Sequence, residues 1–441
     1  MSKPAGRVLL PTLFLCAGLL AGHAASGASD GMVRRVSVKV DGGQARRPSG
    51  FGVVSNHRRF VAFVSDASKL VEGDTNGVTD VFVYDRRSQT TERVTVASDG
   101  DQMVGPWGAE NTHIDISGDG RYVAFSTVSP GLVADDTGSH NDVFVHDRQT
   151  GDTIRASVDS NGIQGDGDSF EPTISGNGRY VGFQSVASNL SDVPLPSDPL
   201  TIVRSYVHDR RTETTSLVSV SSEGAVANDH TASVSLSSKG RYAAFDSGAT
   251  NLTSADPNST HDVFVRDLLS GRTRYVSKSS KERSGNDGSF EPSISGDGRF
   301  VAFGSSASNL VRHDDNEAID VFVRDRRRGV TKRVSVGSRG QQGNGMSFGA
   351  EVAARAPVVT FVSRSTNFAG GTSSDDVYRH NWRATRTRLV SSSKNGGEAN
   401  DHSIRPHVSG DGRVITFTST ASDLVERDTN HVSDQFVWRR R

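Results

Sequence analysis

Carboxylates and amides recur at one fixed spacing in this chain. The phrase Asp-x-Asn-x-x-x-Asp occurs as Asp74, Asn76 and Asp80, and again as Asp256, Asn258 and Asp262. It returns as Asp314, Asn316 and Asp320, and as Asp428, Asn430 and Asp434. A related stretch carries Asp136, Gly138 and Asp142. Oxygen ligands at alternate positions of a turn suit Ca2+, a hard cation that takes about six to eight oxygens. Each loop offers about three side-chain oxygens, so backbone carbonyls and water would complete the shell. The same residues also have a plainer use. Asp and Asn side chains satisfy backbone donors where a turn feeds a strand. Turn formation and Ca2+ binding both stay open at this point, and Ca2+ is the one cofactor expected.

Other groups point less firmly to chemistry. Asn228-Asp229-His230 and Asn400-Asp401-His402 repeat between units, as do Phe170-Glu171-Pro172 and Phe290-Glu291-Pro292. They read as a polar rim or as packing between units. Asp85, Asp147, Asp209, Asp267 and Asp325 recur ahead of Arg- or Gly-containing turns, while Asn381 and Arg439 stand there in two copies. That recurrence suits a structural bond to the turn or to a recurrent Arg. No catalytic residue is assigned. The chain has no nucleophile elbow of Gly-x-Ser-x-Gly type in a strand-turn-helix context, no phosphate-cradling Gly-rich loop before a helix and no His-Glu-x-x-His.

The elements that must position these residues are short strands. Ser295-Gly296-Asp297-Gly298-Arg299 is a tight turn, and Phe300-Val301-Ala302-Phe303 is an apolar strand with both faces suited to burial. The strand's final Phe recurs as Phe63, Phe125, Phe183, Phe245, Phe303, Phe361 and Phe417, at intervals of 56 to 62 residues. Each copy reads as four strands. In copy five they fall near 291–295, 299–305, 320–325 and 331–336. Four antiparallel strands per repeat mark a propeller blade. The expected fold is all-β: a seven-bladed β-propeller of four-stranded antiparallel blades. Copy seven lacks a fourth strand, and Val33–Val38 is a stray strand of the fourth type. We expect it to complete the last blade and leave no bare edge. An open superhelix or a six-bladed ring is the alternative.

The 117–125 strand, Ser-Gly-Asp-Gly-Arg-Tyr-Val-Ala-Phe, and its equivalents resemble the repeat of TolB-type, WD40-like propellers. The resemblance covers essentially all of 33–441. It implies a propeller from a bacterial envelope or secreted protein. The repeat here is longer, and no α/β domain is expected before the blades.

Residues 1–28 read as a secretory signal: Lys3 and Arg7, then an apolar run over Val8–Leu20. Cys16 is the single cysteine, so the mature chain would carry no disulfide. The expected place is therefore the periplasm, the cell envelope or the medium. Lys plus Arg is 50 against 51 Asp plus Glu, leaving no basic excess for nucleic acid. No membrane span is expected after cleavage, and a monomer is.

Function is expected on the face that carries the long second-to-third loops and inter-blade crossings. The partner expected there is a protein, a peptide or a glycan, bound without catalysis. The alternatives are an extracellular polysaccharide lyase or hydrolase, and a structural envelope protein. A unique cluster of His, carboxylate and Arg with displaced pKa values at the channel mouth would favour the enzyme. A polar rim repeated from blade to blade would favour binding. Copies three and six depart most from the repeat, and the Val193–Ile202 insertion with Pro194, Pro196 and Pro199 is expected at the rim.

Overall fold

The turn before each second strand shows why the unit folds as it does. In blade five the Ser295 hydroxyl bonds Asp297 Oδ1 at 2.7 Å and accepts the Phe300 N–H at 2.9 Å. Gly298 sits at φ +70°, and its N–H reaches the Ser295 carbonyl. A Cβ there would also lie 2.1 Å from the Tyr242 ring of the preceding blade, so this position needs glycine twice over. Beyond the turn Val301, Ala302 and Phe303 are fully buried. Phe303 stacks on Phe322 of the third strand at 5.9 Å between centroids.

The structure is a computed structural model that describes residues 31–104, 113–136, 140–195, 202–254, 259–368 and 374–441. The signal-like segment therefore lies outside the described residues, as do Asp256, Asn258, Gly138, Pro196 and Pro199. Seven four-stranded antiparallel sheets form seven blades. In blade five the strands are Ser289–Ile294, Phe300–Ser305, Asp320–Asp325 and Val330–Arg333. The fourth stops earlier than its sequence suggests. The Ser335 hydroxyl, not a strand partner, receives the Val321 N–H and bonds Asp320.

The ring closes as expected. Gly31–Arg35 pairs antiparallel with Asp434–Arg440, with Arg35 opposite Phe436, and completes blade seven. The Val36 N–H extends this contact to the Gln435 carbonyl at 2.9 Å.

Recurrent Arg–Asp pairs brace the short-turn end of five blades. Arg59–Asp85, Arg121–Asp147, Arg179–Asp209, Arg241–Asp267 and Arg299–Asp325 lie at 2.5–2.8 Å. Arg59 holds the Asp85 carboxyl down at about 2. The same carboxylate accepts the Arg87 N–H of the following turn.

On this face the channel narrows to a collar of backbone. His57 N–H bonds Gly118 O, Gly118 bonds Gly176, Asn177 bonds Ser238 and Ser238 bonds Gly296. Gly296 then bonds Ala354, Arg355 bonds Gly410, and Gly410 bonds Asn56, at 2.7–3.3 Å throughout. The circle is complete, one N–H to one carbonyl from each blade to the next. The Asn56 side chain reaches across it: a Cβ built on Gly118, Gly176 or Gly410 would stand 2.9–3.2 Å from an Asn56 amide atom.

Candidate functional site: a cup in the central channel

Above that collar the first strands of the blades enclose a cavity of about 700 Å3. Its wall follows from a defect repeated in the inner strands. Six of the seven first strands carry a β-bulge after their second residue. The next residue takes a left-handed conformation: Phe51, Glu171, Ser233, Glu291, Gly349 and Arg405 have φ between 47° and 62°. Only one of these is glycine. Non-glycine residues in this region are strained and concentrate at functional sites. His113 holds the same position in blade two. Together they form an upper ring toward the long-loop face.

The upper ring varies from blade to blade. The Arg405 guanidinium carbon lies 3.3 Å from the centre of the Phe51 ring. Phe51 meets His113 edge to face at 5.6 Å. His113 Nδ1 is 3.8 Å from Glu171 Oε1, and Gln184 donates to the other Glu171 oxygen. A cation, an aromatic ring, an imidazole and a carboxylate thus follow one another across four consecutive blades. Burial, before any charge, lowers the His113 pKa and raises that of Glu291.

Two residues deeper lies a second ring: Val53, Asp115, Thr173, Ser235, Ser293, Glu351 and His407. Here several side chains tie blade to blade. Asp115 accepts the Ile174 N–H at 2.8 Å and the Thr173 hydroxyl at 3.1 Å. Ser235 accepts the Ile294 N–H, Ser293 accepts the Val352 N–H, and His407 Nδ1 accepts the Val54 N–H. Ser293 also donates to Glu351 at 2.9 Å. Burial pushes Asp115 up to about 6 and Glu351 up to about 7, the latter helped by the charges of Asp115 and Glu291. It pushes His407 down to about 4, leaving a neutral acceptor.

The described residues of the repeated Asp/Asn loops sit elsewhere, and none of them lines the cup. Their carboxylates face an arginine from a fourth strand. Arg93 lies 3.1 Å from Asp74 and 3.8 Å from Asp80. Arg333 lies 2.9 Å from Asp314 and 3.3 Å from Asp320, and Arg35 lies 2.7 Å from Asp428 and 3.1 Å from Asp434. The amides complete the shell: Asn316 and Asn430 donate to Asp320 and Asp434, and Asn76 accepts the Val78 N–H. Arg155 serves Asp136 and Asp142 alike. In blade four Tyr275 replaces the arginine and donates to Asp262 at 2.6 Å. Among the described residues, the carboxylates expected to hold Ca2+ thus have a tethered cation or a phenol as neighbour. Among the described residues no group of three or more His, Cys, Asp or Glu is arranged to hold a metal.

The other expectations have structural places too. His230 and His402 accept the Val203 and Asp375 N–H groups at the head of a third strand. Phe290 lies half-buried over Gly304 of its own blade. Val193 and Leu195 of the insertion pack on the core beneath. Of the cup residues, Glu171, Pro172, Glu291 and Pro292 stood in the segments read as a polar rim, and the others were missed. The signal available was variation: stacked at this one position, seven otherwise similar copies read Phe, His, Glu, Ser, Glu, Gly and Arg.

Fold and cup together define a seven-bladed β-propeller with a side-chain-lined cup at its axis. No protein-family model matches the chain, and no curated protein matches it. Among solved structures, an oligogalacturonate lyase in complex with manganese superposes with a TM-score of 0.52 at 10% identity, over 93% of each chain. A prolyl endopeptidase gives 0.50 at 13%, over 85% of this chain and 46% of that one. TolB from Acinetobacter baumannii gives 0.41 at 12%, over 82% and 76%. At such identities the likeness to the lyase and the endopeptidase is one of fold alone, that of a β-propeller. Among the described residues no helix is long and apolar enough to cross a membrane.

Proposed function

We propose that this protein is a binding propeller of the cell envelope or exterior that takes part of a peptide, protein or glycan partner into the cup. The observation that carries the reading is the upper ring. Left-handed backbone is repeated around the axis, and the residue it presents to the cavity varies among Phe, Glu, Ser, Gly and Arg. A scaffold that is constant while its lining varies suits recognition. The deeper carboxylate Asp115 is bound to three donors, which suits holding blades more than moving protons. The experiment is a panel of soluble peptides and oligosaccharides screened against the full chain. Any ligand found should bind at least tenfold more weakly to Glu171→Gln or Glu291→Gln. Unchanged affinity in both variants would refute the cup as its site.

One observation favours a second reading, that of a lyase or hydrolase acting on an extracellular polysaccharide. The cluster is unique rather than repeated, and Glu351 is pushed up to about 7, where a carboxyl can serve as general acid or base. The check is turnover of polyuronates and neutral polysaccharides by wild type and Glu351→Gln. Turnover that the variant loses would establish this reading, and its absence across the panel would leave recognition alone.

A further inference from the structure

A second cavity, of about 290 Å3, lies on the outside of the ring where blade seven meets blade one. None of its lining residues has an acidic side chain, and Arg34, Arg35, Arg86, Arg439, Arg440 and Arg441 contribute to it. The chain as a whole is nearly neutral, so this concentration is local.

The other blades show how unusual the seam is. Five blades end their third strand with an aspartate that pairs with the recurrent arginine of the second strand. Blade seven has Arg439 there, opposite Val414 in the same register. Its own Arg413 has Asp411, at 3.9 Å, as its one ion-pair partner among the described residues. At the next seam, between blades one and two, Glu92 of a fourth strand forms an ion pair with Arg148. The equivalent residues at the closing seam are Arg34 and Arg86. Arg148 also stacks 4.1 Å over the Phe60 ring, whereas blade seven offers Val414 to Arg86. Arg86 donates to the Arg58 carbonyl, as Arg148 does to Gly120, but forms no ion pair with an acidic side chain among the described residues. Burial, then the charges of Arg439 and Arg58, lowers its pKa. One departure from the repeat, Arg439 in place of aspartate, therefore adds a third like charge beside Arg34 and Arg86, a juxtaposition of two arginines that Arg274 and Arg326 repeat between blades four and five. Guanidiniums so placed repel one another unless an anion lies among them.

We propose that this groove is an anion site for a phosphate-class oxyanion, held by Arg34, Arg86 and Arg439. The oxyanion could be free or carried on a lipid headgroup, and planar guanidiniums bind either bidentately. The site is independent of the cup.

The test is calorimetric titration of the full chain with inorganic phosphate at constant ionic strength. Two variants borrow residues from other blades: Arg439→Asp restores the usual pair with Arg413, and Arg34→Glu recreates the Glu92–Arg148 pair beside Arg86. Saturable binding should weaken at least tenfold in each and stay unchanged in Arg339→Ser, on a distant loop. Should Arg439→Asp fail to fold, the exposed Arg34→Glu carries the test. Absence of saturable phosphate binding, or equal affinity in the folded variants, overturns the proposal. A parallel arm sediments the protein with phosphatidylglycerol–phosphatidylcholine vesicles. Given phosphate binding, cosedimentation lost in the variants identifies a headgroup, and no cosedimentation identifies a free anion. Cosedimentation that persists in both variants overturns the site.

Discussion

Glu351 shows most plainly what the cup costs its own residues. Its carboxyl is pushed up to about 7 by burial, with Asp115 and Glu291 adding repulsion. The folded chain therefore keeps a proton that the unfolded chain gives up near the ordinary Glu value. Stability from this group is highest in acid and falls as pH rises from about 4.5 to 7. Above that the penalty is constant. Glu351→Gln, which keeps an acceptor for Ser293, should stabilise the fold by on the order of 2 kcal/mol at pH 8 and by little at pH 4. Urea titrations at the two pH values check this, and a gain that is equal at both would contradict it. His407 works in the opposite sense. Pushed down to about 4, it stays neutral in the fold while the unfolded imidazole charges, so its contribution is lost as pH falls from about 6.5 toward 4.

At the scale of the element, each Asp/Asn loop is a small closed circuit between the second-to-third loop and a fourth strand. Arg333 is about nine-tenths buried with Asp314 and Asp320. Arg333→Leu would leave two carboxylates buried without their cation, and we expect a loss of about 3–5 kcal/mol in denaturant titrations. Millimolar Ca2+ should then raise the melting temperature of the variant while leaving wild type unmoved, because in wild type the arginine competes for the same oxygens. A calcium-dependent shift in wild type would show that the ion binds despite it. The acidic phrase was legible in the sequence, being local. Its arginine was not: Arg35 and Asp428 are 393 positions apart in number, and only ring closure brings them together. Most of the cup was hidden for a related reason. The bulge between Phe290 and Ser293 breaks the alternation that identifies a strand, so the inner strand of blade five read as starting at Glu291 when it begins at Ser289.

At the scale of the molecule, seven similar cores lean on one another, and the last is finished by the first strand. The fold was readable because the Phe-terminated second strand and the Asp-closed third strand repeat with little change. The missing fourth strand of copy seven and the stray Val33–Val38 then implied each other. Deleting residues 31–38 should remove more than one strand's worth of contacts. It would bare the edge of Asp434–Arg440 and uncover Trp438, which is 1% exposed. We expect a broadened, multi-step unfolding transition and aggregation. A single sharp transition at the wild-type midpoint would mean that the ring does not depend on its closing strand.

The most direct test of the account is to fill the cup without disturbing its wall. Ser233 lines the cavity at a left-handed position that already carries a non-glycine residue. Ser233→Trp should abolish binding of whatever ligand the wild-type protein selects from the peptide and oligosaccharide panel, with the melting temperature unchanged. The same ligand bound with the same affinity by the folded variant would place recognition somewhere other than the cup.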